Sequence, residues 1–307
     1  MIRRFAAGTA VATGLALSLT GCLGSGNDKA GGGSGGGAIQ LTAAQVLDKA
    51  AQKTGATDSF KADMSMQAST SEGNMNMSGT MQYRTKPDLA FSMNFANMSM
   101  GGKSMGGMQQ ILVGKTMYMK MPMLQQLSQM GGNKTQMKPW IKISLAEIGQ
   151  KAGLNLDQLM EQSRQMDPVQ NTKMLTSSKD VKEVGKETVD GVQTTHYRGT
   201  YKMADAIAKL TPEQRQAYEK LMAKSGGAGS QAMPFDLWVD GQQLPKKMTM
   251  NMAMTATEKM NMTMTYRDYG KPVNITAPPA DQVTDFSELM KNIPGAGSGA
   301  GNGIPGA

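Results

Sequence analysis

Met248-Thr249-Met250-Asn251-Met252-Ala253-Met254 and Met260-Asn261-Met262-Thr263-Met264-Thr265-Tyr266 place a thioether at every second residue, with small and mostly polar side chains between. Side chains two apart share one face of a β-strand, whereas a helix brings together residues three and four apart. The same period runs through Met64 and Met66; Met75, Met77 and Met81; Phe91, Met93 and Phe95; and Met117, Met119 and Met121. Methionines stand two residues apart eleven times, adjacent never and three apart once. Chance supplies about three pairs at each short separation, so the period is that of a strand. One face is thioether and aromatic and the other small and polar, the pattern of an antiparallel sheet covered on one side and wet on the other. Met98 and Met100 fall out of phase with Phe91, Met93 and Phe95, which points to a bulge or the start of a loop.

The periodicity matters because the chain has few other large apolar side chains. Its 307 residues include 31 Met against 6 Phe and 2 Trp, so methionine must build much of any core. Further strands are expected at 110–114, 140–143, 182–189, 194–202 and 236–240, with turns at Asp190-Gly191, Asp240-Gly241 and Lys86-Pro87-Asp88. Helices are fewer. Thr42, followed three residues later by Gln45 and by apolar Val46, Leu47 and Ala50, opens a capped helix to about Thr54. Other helices are expected at 144–153, 157–166, 203–210 and 212–224. Strands and helices do not alternate, so the fold class is α+β: a long, curved, antiparallel sheet, or half-barrel, with helices covering its concave face.

Arg3 and Arg4, an apolar stretch from about Phe5 to Leu19, and Leu19-Thr20-Gly21-Cys22 read as a lipoprotein signal peptide over 1–21. The last tetrapeptide has the form of a lipobox, in which Cys22 receives a diacylglyceryl group and becomes the mature N-terminus. The apolar stretch is too short to span a bilayer. Two acyl chains anchor stably where one does not, which places the protein on the extracytoplasmic face of the cell membrane. Residues 22–38 form a Gly- and Ser-rich tether, 39–293 a single domain and 294–307 a disordered Gly/Ala/Pro tail.

A single Cys and a single His exclude cysteine-based zinc sites, internal disulfides and His-rich metal sites. A triad would need His196 as its base, and no Gly-x-Ser-x-Gly elbow accompanies it, so His196 is expected to be structural or at the surface. Trp140 and Trp238 are expected to pack at the sheet. No catalytic residue, resident metal or cofactor is expected, and the net charge of +8 is scattered rather than run together, which argues against nucleic acid.

The chain resembles the LppX/LprAFG-type lipoproteins of the actinobacterial envelope, whose fold is related to the carriers LolA and LolB. The resemblance rests on the lipobox, on Val184-Gly185-Lys186-Glu187-Thr188-Val189-Asp190-Gly191 followed by Thr195-His196-Tyr197, and on Phe235-Asp236-Leu237-Trp238-Val239-Asp240. It continues through Leu244-Pro245 and through Tyr266-Arg267-Asp268-Tyr269-Gly270-Lys271-Pro272-Val273, ending in Pro278-Pro279. It implies a half-barrel that holds the acyl chains of an envelope lipid or lipoglycan, with a membrane transporter as a further partner. This chain departs from the family in its density of methionine.

The resemblance turns the periodic face into a candidate lipid wall: Met64, Met66, Met75, Met77, Met81, Phe91, Met93, Phe95, Met117, Met119, Met121, Met248, Met250, Met252, Met254, Met260, Met262 and Met264. Unbranched, polarizable methionine can repack around guests of differing shape. On pattern alone the same stripes also suit an ordinary packed core. Two further readings stay open: an envelope sensor or interaction module without lipid transfer, and capture of Cu(I) or Ag(I) by thioether sulfur. The stripes are spread along the chain with no local cluster of Met and His, which favours lipid over metal.

Overall fold

The computed structural model describes residues 41–71, 73–122, 138–147, 168–208, 212, 215, 232–253 and 258–291. Its first helix, α1 (Ala43–Gly55), starts on the expected capping box. The Gln45 amide donates to Thr42 Oγ1 at 3.3 Å and the Thr42 amide to Gln45 Oε1 at 2.9 Å, satisfying two groups that a helix start leaves open. Val46, Leu47, Ala50 and Thr54 recur at helical spacing and form its buried face.

Three long strands follow: β1 (Ser59–Thr70), β2 (Gly73–Arg84) and β3 (Ala90–Met100). Then come the short β4 (Lys103–Ser104), β5 (Met108–Val113), β6 (Thr116–Lys120) and β7 (Trp140–Ser144). Helix α2 (Pro168–Leu175) precedes β8 (Lys182–Val189) and β9 (Val192–Lys202), and α3 (Met203–Ile207) follows. The chain continues through β10 (Ala232–Asp240), β11 (Pro245–Ala253), β12 (Lys259–Arg267), β13 (Val283–Asp285) and α4 (Phe286–Lys291). All thirteen strands belong to one sheet, ordered β13-β7-β6-β5-β3-β2-β1-β12-β11-β10-β9-β8, with β4 paired to β3. The sheet is open, with β13 and β8 at its edges. It is antiparallel except where β13 lies parallel to β7, a pairing that alternation of side chains along single strands does not reveal.

Register across the sheet decides what the alternation builds. Met98, Met77, Met66, Met262 and Met250 stand directly opposite one another on β3, β2, β1, β12 and β11. The adjoining row is Met100, Met75, Ala68, Met260 and Met252. On the other side lie Phe95, Gly79, Met64, Met264 and Met248, then Met93, Met81, Ala62 and Tyr266. The out-of-phase pair Met98 and Met100 rejoins this face because β3 carries a bulge: Ser78 pairs with Asn97 but Gly79 with Phe95, so Ala96 is the extra residue. Gly79 is what the bulge requires, since a Cβ there would lie 2.3 Å from the Asn94 carbonyl oxygen and 2.8 Å from Phe95 Cα.

One end of the apolar face is a packed core. Val46, Leu47 and Ala50 of α1 and Met174 and Leu175 of α2 join Phe60, Tyr83, Phe91, Leu112, Phe235 and Leu237 in a single cluster. Phe60 stacks on Tyr83 at 5.0 Å and meets Tyr266 edge-on at 5.8 Å. Burying a side chain such as Leu47 or Phe60 contributes about 1.5–3 kcal/mol each. The β8–β9 hairpin turns on Asp190 (φ 48°) and Gly191 (φ 77°), a two-residue turn whose positive φ angles match strand twist. In the β10–β11 turn, Asp240 Oδ1 accepts from the amides of Gln242 at 2.9 Å and Leu244 at 3.0 Å.

Strands are found at every expected place, β8 with the expected bounds. The expectation missed β4, β13, α2 and α4, all short, and it set β10 four residues late, because Ala232-Met233-Pro234 breaks the strand pattern. Of the other expected helices, 145–147 begins one and α3 supplies another, while 157–166 and nearly all of 212–224 lie outside the described residues. Among the described residues the helical cover is α1 and α2 over one end of the face, and the other helices expected to roof it lie mostly outside them.

Candidate functional site

The methionine face divides into two zones. Phe91, Met81, Met248, Met250 and Met264 are buried within the core. Met64, Met66, Met75, Met77, Met93, Met252, Met260 and Met262 are only partly buried, as are Met98 and Met100. The two rows farthest from α1 hold ten positions, of which nine are Met and one is Ala68. Met117 and Met119 reach the same face through the β5–β6 register, Met117 opposite Leu112 and Met119 opposite Gln110. Met121 lies just past β6 and is partly buried. Met254 and Cys22 lie outside the described residues.

Several of these sulfurs already have partners. The hydroxyls of Tyr201 and Tyr266 donate to Met250 Sδ at 3.7 Å and Met264 Sδ at 3.5 Å, and Gln110 Nε2 donates to Met117 Sδ at 3.1 Å. These contacts fix the thioethers nearest the core. Met98 and Met100 belong to the face although their phase argued otherwise; an isolated Gly in an alternating strand, Gly79, was the signal that β2 meets a bulge.

The intervening residues build the opposite surface. Ser65, Ser78 and Asn97 face one another there, as do Gln67, Asn76 and Ser99. A cavity of about 390 Å³ is lined by these six together with Met66, Met77, Met98 and Ser104. Its walls are mainly hydroxyl and amide, so it is not the methionine-lined hollow expected from the sequence.

The most polar constellation lies on that same side, around His196, which is 4% exposed. Its Nδ1 lies 2.8 Å from Glu187 Oε1 and its Nε2 lies 2.6 Å from Asp236 Oδ1. Both ring nitrogens thus face carboxylate oxygens. Trp238 stacks on the ring at 4.2 Å and donates from Nε1 to Glu187 Oε2 at 2.8 Å; Lys247 Nζ sits 4.6 Å above Trp238. Arg198 Nε donates to Asp236 Oδ1 at 2.7 Å. The hydrogen bonds from Trp238 and then His196 hold the Glu187 carboxyl below its ordinary value. The cluster is a buried polar knot that joins β8, β9, β10 and β11. Trp140, also buried, lies under Lys120 Nζ at 5.9 Å.

Comparison with known proteins identifies the fold's relatives. The LppX_LprAFG lipoprotein family model matches residues 155–275. A 31.2 kDa Streptomyces griseus protein, described by its place in the rplA–rplJ intergenic region, is 32% identical over 261 residues, covering 82% of this chain and 83% of its own. The chain belongs to the LppX_LprAFG lipoprotein family. Among solved structures, LprF from Mycobacterium bovis aligns with a TM-score of 0.47 at 15% identity over 78% of this chain and 97% of its own. LppX from Mycobacterium tuberculosis aligns with a TM-score of 0.45 at 14% identity, over 76% and 98%. The stretch matched by the LppX_LprAFG model holds the His196 knot and the methionines of β11 and β12, whereas those of β1, β2 and β3 lie ahead of it.

Proposed function

We propose that this member of the LppX_LprAFG family is anchored outside the cytoplasmic membrane through lipidated Cys22, and that its methionine face shields the acyl chains of an envelope lipid or lipoglycan. In this reading the protein carries the lipid or presents it to a membrane partner. Each methylene exposed to water costs about 0.8 kcal/mol, so a sixteen-carbon chain costs on the order of 13 kcal/mol unless something covers it. A carrier needs an apolar surface that is not already used up by its own core. The observation that carries the reading is the pair of rows farthest from α1, nine Met in ten positions, at most partly buried save for Met250 and Ala68, with Met262 alone of the partly buried ones packed against the core. Thioether side chains with three rotatable bonds can conform to chains of differing length.

The test is lipid analysis of the protein purified from the host that makes it. Replacing Met66, Met252 and Met260 with Asp should remove the co-purifying lipid while leaving the melting temperature of the core nearly intact. Unchanged lipid in that variant argues against this face. Replacing Cys22 with Ala should release the protein from the membrane fraction, and continued detergent-dependent fractionation would refute the anchor.

A further inference from the structure

The methionine stripes, separate in sequence, are brought by the register into one line, and that line has chemistry beyond its hydrophobicity. Met98, Met77, Met66, Met262 and Met250 occupy five adjacent strands at directly opposed positions. Opposed side chains in an antiparallel pair start about 4.5–5.5 Å apart at Cβ, within reach of a shared small ion once flexible thioether arms close on it. Met250 Sδ already accepts from Tyr201, which leaves Met77, Met66 and Met262 as the central three.

Hydrophobicity does not account for the residue chosen. Strands favour Val, Ile and aromatic side chains, and the core end of this same face mixes Phe, Tyr and Leu with Met81, Met248 and Met264, whereas the two rows beyond it hold no aromatic or branched side chain. Sulfur is the property that Met has and these residues lack. A set of neutral thioethers suits a soft monovalent cation and disfavours hard cations that want carboxylate or carbonyl oxygen. Asn, Ser and Thr, the hard donors between the methionines, lie on the opposite side of the sheet.

We propose that Met66, Met77 and Met262 form a thioether site for a soft d¹⁰ cation, Cu(I) or Ag(I), with Met98 as a neighbouring fourth donor. Because Met66, Met77 and Met262 also belong to the proposed acyl-chain face, the site is tested on protein freed of co-purifying lipid. The experiment titrates the full chain with Ag(I) in chloride-free buffer by calorimetry, with Cu(I) competition against a chromophoric chelator as a check. The expected result is tight binding that the variant Met66→Leu/Met77→Leu/Met262→Leu loses while its fold, followed by circular dichroism, is unchanged. Met-to-Leu exchange conserves volume and apolar character, so loss of binding reports on the sulfur.

A second measurement needs no variant. Ag(I) should protect Met66, Met77 and Met262 from peroxide oxidation, read by peptide mass spectrometry, while Met105, which is 37% exposed, oxidises at an unchanged rate. Absence of Ag(I) binding, binding unchanged in the Leu variant, or protection spread equally over all methionines would overturn the site.

Discussion

Replacing Gly79 with Ala probes the device that puts Met98 and Met100 on the apolar face. The added Cβ would lie 2.3 Å from the Asn94 carbonyl oxygen and 2.8 Å from Phe95 Cα, both backbone atoms of the bulged strand. An ordinary carbon–oxygen contact is longer by about 1 Å, and a ladder strand cannot retreat that far without weakening its hydrogen bonds. Overpacking costs about 1–3 kcal/mol and a weakened backbone hydrogen bond about 1 kcal/mol more, so the expected loss is roughly 2–4 kcal/mol. For a domain of this size that lowers Tm by on the order of 10 °C. The control is Gly185→Ala, where a Cβ meets nothing within 4 Å and the expected change is near zero. Thermal unfolding followed by circular dichroism compares the two variants. Equal melting temperatures for Gly79→Ala and Gly185→Ala would refute the close approach, and with it the account of how β3 changes phase.

Other parts of the fold make equally direct predictions. Leu47→Ala, at a fully buried position of α1, should cost about 2–5 kcal/mol, measured by denaturant unfolding. Thr42→Ala removes one half of the capping box and should cost about 0.5–2 kcal/mol in the same assay. The Asp180 carboxyl is held below 3.8 chiefly by the Thr200 amide at 2.8 Å, and Asp285 likewise by Ser287. Such groups contribute stability above the ordinary carboxyl range and lose it as pH falls through their lowered folded values. The unfolding midpoint should therefore be flat from neutral pH to about 5 and fall below about 4, with a shallower fall in Asp180→Asn. Trp238→Phe keeps the stack on His196 but removes the donor to Glu187, so the Glu187 pKa should rise toward its ordinary value in an NMR titration.

The sheet was legible in the sequence because its alternation is written in a residue that is rare elsewhere. Side-chain period depends only on the strand itself, so Met248 to Met252 and Met260 to Met264 declare their face without any knowledge of neighbours. Which strands lie side by side is a property of the whole chain. The order β2-β1-β12-β11, which unites methionines almost two hundred residues apart, had no local signal. The same is true of the parallel β13–β7 pair. Most of these methionines do share one face of the sheet, but the division of that face into a core end and a methionine end depended on where α1 and α2 pack. Ser65, Gln67 and Asn76 read as a merely wet surface, yet they line a cavity, because local shape between strands is not encoded in alternation.

Acyl-chain capture by the methionine face is tested most directly by photolabelling. The lipidated protein is incubated with a diazirine-bearing fatty acid, irradiated and mapped by peptide mass spectrometry. Crosslinks are expected on 64–77 and 248–264, competed away by the lipid that co-purifies. Label confined to the Ser- and Asn-rich side, or scattered with no competition, would contradict the assignment.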